Sequence, residues 1–424
     1  MASYKSFMKS GHPMTLLAAF LYFDFSFAIW VLNGVMGPFI SEQFHLSAGQ
    51  IGLMVSVPTI AGAFMRFPLG VISQYIGRKN AAIVEMSGIT LALSYGYFFV
   101  HTYHQVLAMG VLLGLAGAAF GVALSLGAGW FPPESKGLAM GIAGAGNSGT
   151  ALAALLAPRL AMHVGWQHVY GFAALCMLLP LGVMIFFAKE PPDIEHQSLR
   201  EHLSCLFEKD GWSFNAIYII TFGGFIGLAT FLPSFFYHQF HVTKVVAGTL
   251  TMLATFTGSA TRVVGGWFAD RIGGITTVSV MFLVAIAGLF GLMATPPLVA
   301  TTLLFMLCFA ALGAGNGAVF QLVPLRWPLT TAVAGGMIGE IGALGGSILP
   351  NLLGQSSQRT GSYTAGFIIY AALATGVLVM LRVVSKKWMG VWVGPGGRAL
   401  TTPTQKAYAG GLVESHLRTE PAAD

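Results

Sequence analysis

The sequence predicts an all-α membrane protein, with twelve transmembrane helices in two pseudo-symmetric six-helix bundles and both chain ends on the cytoplasmic side. Three observations lead there. First, 55% of the 424 residues are hydrophobic and only 8% are charged, with a mean hydropathy of +0.74; soluble domains carry about 25% charged residues. Second, apolar runs of about 20 residues, the length that crosses a hydrocarbon core, recur along the chain. Third, a segment of the first half of the chain returns in the second half.

The apolar runs fall at 15–38, 50–73, 80–100, 104–129, 136–160 and 167–188, then at 212–237, 244–268, 275–294, 298–322, 329–354 and 364–387. These define a first bundle over 1–188, a cytoplasmic linker over 189–211 (KEPPDIEHQSLREHLSCLFEKDG), a second bundle over 212–388, and a Gly/Pro-rich polar tail over 389–424 expected to be disordered. The first run is too long for a signal-peptide core and has no convincing cleavage site, so it is expected to be a retained helix.

Charge placement sets the orientation. With both ends inside, cytoplasmic segments hold Lys5, Lys9, Arg78, Lys79, Lys136, Lys189, Arg200, Lys209, Arg271, Arg326, Arg382, Lys386 and Lys387, whereas outer loops hold Arg159, Lys244 and Arg359. This is the positive-inside pattern. It accounts for the net charge of +6 without a nucleic-acid partner. Cys176, Cys205 and Cys308 are scattered and suggest neither a disulfide framework nor a metal site. A monomer in the inner (plasma) membrane is expected, with lipid as its surroundings.

The repeat is visible when RFPLGVISQYIGRKN, from Arg66, is set above RVVGGWFADRIGGIT, from Arg262. Arg66 pairs with Arg262, Gly70 with Gly266 and Gly77 with Gly273, all 196 positions apart (262 − 66, 266 − 70, 273 − 77). Duplicated halves suggest a transporter whose halves rock about a central site. The turns GVISQYIGRKN and GWFADRIGG resemble the cytoplasmic loop motif of the major facilitator superfamily, G-x-x-x-D-R-x-G-R. The second copy keeps Asp270–Arg271; the first has Gln74–Tyr75 in its place.

An arginine at mid-helix costs about 2.5–3.5 kcal/mol on insertion scales. Arg66 and Arg262 are both too deep to reach the interface easily. A structural arginine, satisfied by backbone carbonyls or by Asp24, Glu85 or Glu340, is one reading. Two arginines at matching repeat positions favour another, a site for a small anion. Guanidinium is planar, permanently charged and offers a fork of donors. Two such groups about 8 Å apart repel by roughly 2 kcal/mol at an effective dielectric of 20. An anion about 4 Å from each is attracted by roughly 4 kcal/mol per arginine before desolvation. Loading would therefore remove the resistance to closing. Phe120 and Tyr218 are candidates to sandwich the anion, with Trp30 expected further out.

Two glycine-rich stretches complete the pattern. GAGNSG (Gly144 to Gly149) matches G-x-G-x-x-G, but no strand precedes it and no acid lies at the needed distance, so a nucleotide site is excluded. Gly141, Gly144, Ala145, Ser148 and Leu152 share one helical face where a neighbouring helix is expected to approach. GGMIGEIGALGG (Gly335 to Gly346) repeats the texture on the eleventh run, and GAGNG (Gly313 to Gly317) is read as close packing.

AGAGNSG and GEIGALGG resemble the paired signatures of the nitrate/nitrite porter family within the major facilitator superfamily. The resemblance spans the whole set of helices, with an arginine on the second and another on the eighth. It implies a secondary transporter of nitrate or nitrite, without a cofactor, a metal or catalytic residues. Arg66 and Arg262 match the family's substrate-clamping arginines. Asn147 matches the signature asparagine, and Phe120 and Tyr218 match the aromatic residues that line the substrate. The signature glycines are Gly141, Gly144, Gly146, Gly149, Gly339, Gly342, Gly345 and Gly346. Glu340 interrupts the second signature.

Asp24, in FLYFDFSFAIWVL, resembles the acidic opening of the proton-coupled branch, so Asp24 and Glu340 are candidates for proton coupling. Glu85 is expected to pair near the cytoplasmic end with Arg78 or Lys79. Proton-coupled uptake is favoured over nitrate/nitrite exchange. Rival readings are an organic-anion antiporter for oxalate or a sugar phosphate, and a non-transporting anion sensor. The first would need further cations, and the second an appended signalling domain.

Overall fold

The computed structural model describes residues 10–192, 207–328 and 331–400. These fold into helices, apart from one isolated bridge between Met389 and Val393. In chain order the helices are α1 (Pro13–Trp30), continued by Leu32–Val35 and Gly37–Phe44, α2 (Ala48–Ile76), α3 (Arg78–Phe98), α4 (Tyr103–Ala128), α5 (Ala139–Val164) and α6 (Trp166–Phe187). The second half holds α7 (Lys209–Phe240), α8 (Lys244–Ile272), α9 (Gly274–Met293), α10 (Leu298–Arg326), α11 (Thr331–Leu344 and Ile348–Thr360) and α12 (Thr364–Trp388).

Ten of these are long and apolar enough to cross a membrane. The two that fall short of the apolar criterion are α8 and α11. At about 1.5 Å per residue both are long enough, but α8 carries five threonines with Arg262, Asp270 and Arg271, and α11 ends in the polar run GQSSQRT. Helix α8 nevertheless keeps an exposed apolar face, with Phe256, Val263 and Trp267, and buries Thr251, Thr255 and Gly258 on the other.

Local chemistry sets the helix ends. Ser47 and Gln50 form a reciprocal capping box at the start of α2, and Thr102 and Thr243 cap α4 and α8 through their hydroxyls. The α2–α3 and α8–α9 junctions turn at Gly77 (φ +86°) and Gly273 (φ +96°). Only glycine adopts that backbone at little cost, and the two glycines are repeat partners.

Each of these turns is buttressed by the chain that follows the last helix of its half. Glu190 accepts from the backbone N–H groups of Arg78 and Lys79, both at 2.8 Å, and so caps the positive end of α3. In the second half, Gly273 packs directly on the carbonyl of Gly396. Residues 389–400 are thus not the disordered start of a tail. Trp392 and Val393 are buried, Trp388 packs on Phe214 and Trp392, and its indole N–H donates to Asp210 at 2.8 Å. The rest of the expected tail, 401–424, and residues 193–206 of the linker lie outside the described residues.

The first and last described segments lie with these turns on one face of the molecule, here the terminal face: Gly11 packs on Phe131 and Gly396 on Gly273. At the opposite, distal face the two halves seal against each other. Gly34 and Gly37 of the α1 extension abut Thr230 and Ser234 of α7. On the α2–α11 side, Gly52 abuts Pro350 and Gly354, Asn351 donates to Ser56 at 2.7 Å, and Gln358 accepts from Gly49 N–H at 2.8 Å. Gly248 of α8 lies on Ala154 and Pro158 of α5, where Arg159 donates to Thr249 at 3.0 Å. Glu42 and Lys244 form an ion pair across the same seam.

Candidate functional site

The regular helices break near the middle of the molecule. Turns of 3-10 helix occupy Gly114–Ala118, Ala145–Ser148 and Gly345–Ser347, and a π turn occupies Ile219–Gly223. Such interruptions mark strained or functional positions. They bring α4, α5, α7 and α11 to one central region, and Arg66 and Arg262 lie among them.

Arg66 is buried, and its guanidinium is shared out. Nε donates to the carbonyl of Gly117 at 2.7 Å and Nη1 to that of Gly339 at 2.5 Å, while Nη2 has no partner. Backbone carbonyls therefore satisfy two of its nitrogens, and the third is left without a partner. Three aromatic rings surround it: Trp30 at 5.3 Å, Phe222 at 5.5 Å and Phe120 at 5.7 Å from the guanidinium carbon. Trp30, expected further out, is part of the site; its N–H is held by the Pro58 carbonyl at 2.8 Å.

Arg262 presents a buried Nη1 with no partner. Its guanidinium carbon is 5.8 Å from Phe120 and 5.9 Å from Phe320. Phe120 thus joins the two arginines across the seam between the halves. Tyr218 stacks on Phe222 (5.0 Å, 11°) and meets Phe320 edge-on, and its buried hydroxyl lies beside Arg262, with both arginines acting on it electrostatically. Asn147 is buried in the Ala145–Ser148 turn with its side-chain oxygen unpartnered, and that turn packs beside α8. Buried polar groups without partners cost free energy, and several of them cluster here around two cations.

Asp24 and the glycines occupy definite places around this centre. Ser148 donates to Asp24 at 2.7 Å, and Gly146 and Gly149 press on the backbone of α1 around Asp24. Asp24 forms no ion pair with either arginine among the described residues. Glu340 follows Gly339 directly and acts electrostatically on Arg66. Gly342 accommodates the Tyr218 ring, and Gly345 lies on the backbone of Ile219 and Gly223.

Two expectations change. The face of α5 that meets α1 is that of Gly146 and Gly149; Gly141 faces open space, Gly144 makes only ordinary contact and Leu152 is exposed. Glu85 does not pair with Arg78 or Lys79; it is buried and accepts from the Tyr22 hydroxyl. Sequence reasoning also missed Phe222 and Phe320. Phe222 could have been found one turn beyond Tyr218. GAGNG is close packing as expected, with Gly313 on the carbonyl of Gly258 and Gly317 on that of Arg262, so it also holds Arg262 in place.

Comparison with known proteins agrees with this architecture. The family model described as Major Facilitator Superfamily matches residues 18–334. The "Nitrite extrusion protein" of Bacillus subtilis is 29% identical over 362 residues, 84% of this chain and 90% of that protein. The "Probable nitrate transporter NarT" of Staphylococcus epidermidis is 28% identical, covering 85% of this chain and 93% of its own. The "Probable nitrate/nitrite antiporter NarK1" of Thermus thermophilus is 27% identical, with 88% and 90% covered. Among solved structures, a D-xylose–proton symporter superposes with a TM-score of 0.71 at 14% identity, over 87% of this chain and 96% of its own. The human organic anion transporter MFSD10 reaches 0.67 at 16% identity, over 87% and 99%. These last two speak for the fold alone. The chain is a multi-pass membrane protein, and it belongs to the Major Facilitator Superfamily.

Proposed function

We propose that this protein is a secondary transporter of nitrate and nitrite in the plasma membrane, of the nitrate/nitrite porter type, oriented with its terminal face in the cytoplasm. The observation that carries this is the pair of repeat-related arginines, one from each half, each with a buried unpartnered nitrogen and both against the Phe120 ring. Guanidinium donors of this kind suit a small planar anion, and three relatives named for nitrate or nitrite transport match more than four-fifths of the chain. No step needs a nucleophile or a metal, so the protein acts by binding and reorientation.

Arg66, Arg262, Asn147, Phe120 and Tyr218 form the substrate site in this reading. With the site empty, two like charges oppose closure of the halves; an anion between them reverses the sign of that term. Proton-coupled uptake is favoured over exchange. The carrier is Asp24, because Ser148 links it to the turn that holds Asn147. A proton on Asp24 would alter that hydrogen bond, and so the position of the substrate amide.

Uptake into proteoliposomes tests the reading. Nitrate influx into nitrite-free vesicles under an imposed proton gradient is expected, and influx only with nitrite inside would establish exchange instead. Wild-type uptake by Arg66→Ala or Arg262→Ala would refute the clamp.

A further inference from the structure

We propose that Asn316, in the GAGNG stretch of α10, is a further substrate-binding residue, and that it favours nitrate over nitrite. This rests on the anion site proposed above. Asn316 is buried, and neither its amide nitrogen nor its amide oxygen has a partner. An amide buried with both atoms unsatisfied is costly and calls for an explanation.

Its neighbours show where it points. Gly315 packs on Thr221 of α7, and Gly317 on the Arg262 carbonyl of α8. Successive helical residues turn about 100°, so the side chain between them enters the wedge between α7 and α8. Phe320, one turn on along the same face, touches Tyr218, Arg262 and Phe120. The repeat agrees: Asn316 lies 196 positions after Phe120 (316 − 120), the ring that joins the two arginines. The glycines flanking Asn316 provide the packing, whereas its own polar atoms take no part in it.

The donors left open are Arg66 Nη2, Arg262 Nη1 and the Asn316 amide. Nitrate brings three acceptor oxygens and nitrite two. The arginines take one oxygen each, and the Asn316 N–H donates to the third, which nitrite lacks. A buried hydrogen bond to a charged group is worth about a tenfold change in affinity or more.

The test is half-saturation for each anion in proteoliposomes of the full-length protein. Asn316→Ala is expected to raise the nitrate value about tenfold and the nitrite value less than about threefold. Asn316→Ser, which keeps a donor, should largely restore the ratio. An unchanged ratio, whether both values rise or neither does, overturns the proposal. If both variants fail to fold, as judged by gel filtration and melting, the amide is structural and the proposal is equally overturned. Arg66→Ala and Arg262→Ala run in parallel separate the two readings. Loss of both anions there with an unchanged ratio in Asn316→Ala leaves the site standing and removes only Asn316 from it.

Discussion

Arg66, in the first half, donates to the backbone carbonyl of Gly339, in the second half, at 2.5 Å. The bond crosses the seam between the halves, and it leaves from a guanidinium that keeps one nitrogen unpartnered. In the proposed reading, substrate charge and the contact between the halves are read by one side chain. Lysine cannot reproduce this, since a single ammonium cannot serve Gly117, Gly339 and an anion in a fixed fork. Arg66→Lys is expected to lower nitrate uptake about 100-fold and to reduce stability by about 1–3 kcal/mol. Uptake near wild type would show that charge alone suffices.

The two glycines nearest the site should behave differently. A Cβ at Gly339 would make ordinary contacts with Phe120 and Arg66, at 3.4 and 3.5 Å, whereas one at Gly342 would strike the Tyr218 ring. Gly342→Ala should weaken nitrate binding about tenfold or more, as expected when overpacking displaces a ring. Gly339→Ala should change it less than about threefold. Equal effects in a binding assay would argue against Tyr218 as a lining residue.

Packing glycines can be sorted by what they touch. Gly149 lies on the carbonyl of Asp24 and Gly317 on that of Arg262, both backbone atoms that cannot swing aside. Alanine at either position is expected to destabilise by about 1–3 kcal/mol or more. Gly141→Ala, which meets open space, should be neutral or stabilising by up to about 1 kcal/mol through helix propensity. Melting temperatures in detergent give the order.

The Asp24–Ser148 pair tests coupling apart from binding. Asp24→Asn is nearly isosteric and can keep a hydrogen bond to Ser148, so nitrate binding should persist while gradient-driven accumulation is lost. Ser148→Ala should shift the pH dependence of uptake without abolishing it. Full accumulation by Asp24→Asn would remove the carboxyl from the proton path.

At the distal face, the hydrogen bond from Lys244 and the charge of its ammonium hold the Glu42 carboxylate below its ordinary value of 4.5. A lowered carboxylate value contributes stability above the ordinary value and loses it as pH falls through the lowered one. The pair should thus be intact at neutral pH and fade only as pH falls below the ordinary carboxylate value. Because Glu42 is exposed, the pair is worth less than about 1 kcal/mol. Maleimide labelling of Ser234→Cys, buried beneath the pair against Gly37, reports opening of that face. Labelling should rise about twofold in Glu42→Gln at pH 7, within the worth of a surface pair. In wild type it should rise only in acid; a transition centred near pH 6–7 would point to another group.

Much of this molecule is legible in the residues. Helix positions follow from apolar runs because a bilayer imposes a length on them, and the Gly77 and Gly273 turns stand where the repeat alignment puts them. Arg66 and Arg262 stand out because charge at that depth is costly enough to be rare. The boundaries were less readable. Helices α2, α8 and α10 run on to Ile76, Ile272 and Arg326, since hydrophobicity ends at the interface while backbone hydrogen bonding does not.

The sequence by itself determined the membrane class, the duplicated halves and the types of residue at the centre, because hydropathy, periodicity and rare intramembrane charge are local properties. Only the tertiary structure decided which atoms of those residues remain free. It shows that Gly117 and Gly339 take two of the nitrogens of Arg66, that Trp30 and Phe222 enclose it, and that Glu85 turns to Tyr22. It also shows that Gly146 and Gly149, not Gly141, meet a neighbouring helix. The reason is geometric: the partner of a buried polar group is set by the helix crossings of residues far apart in the chain, and no local pattern records them.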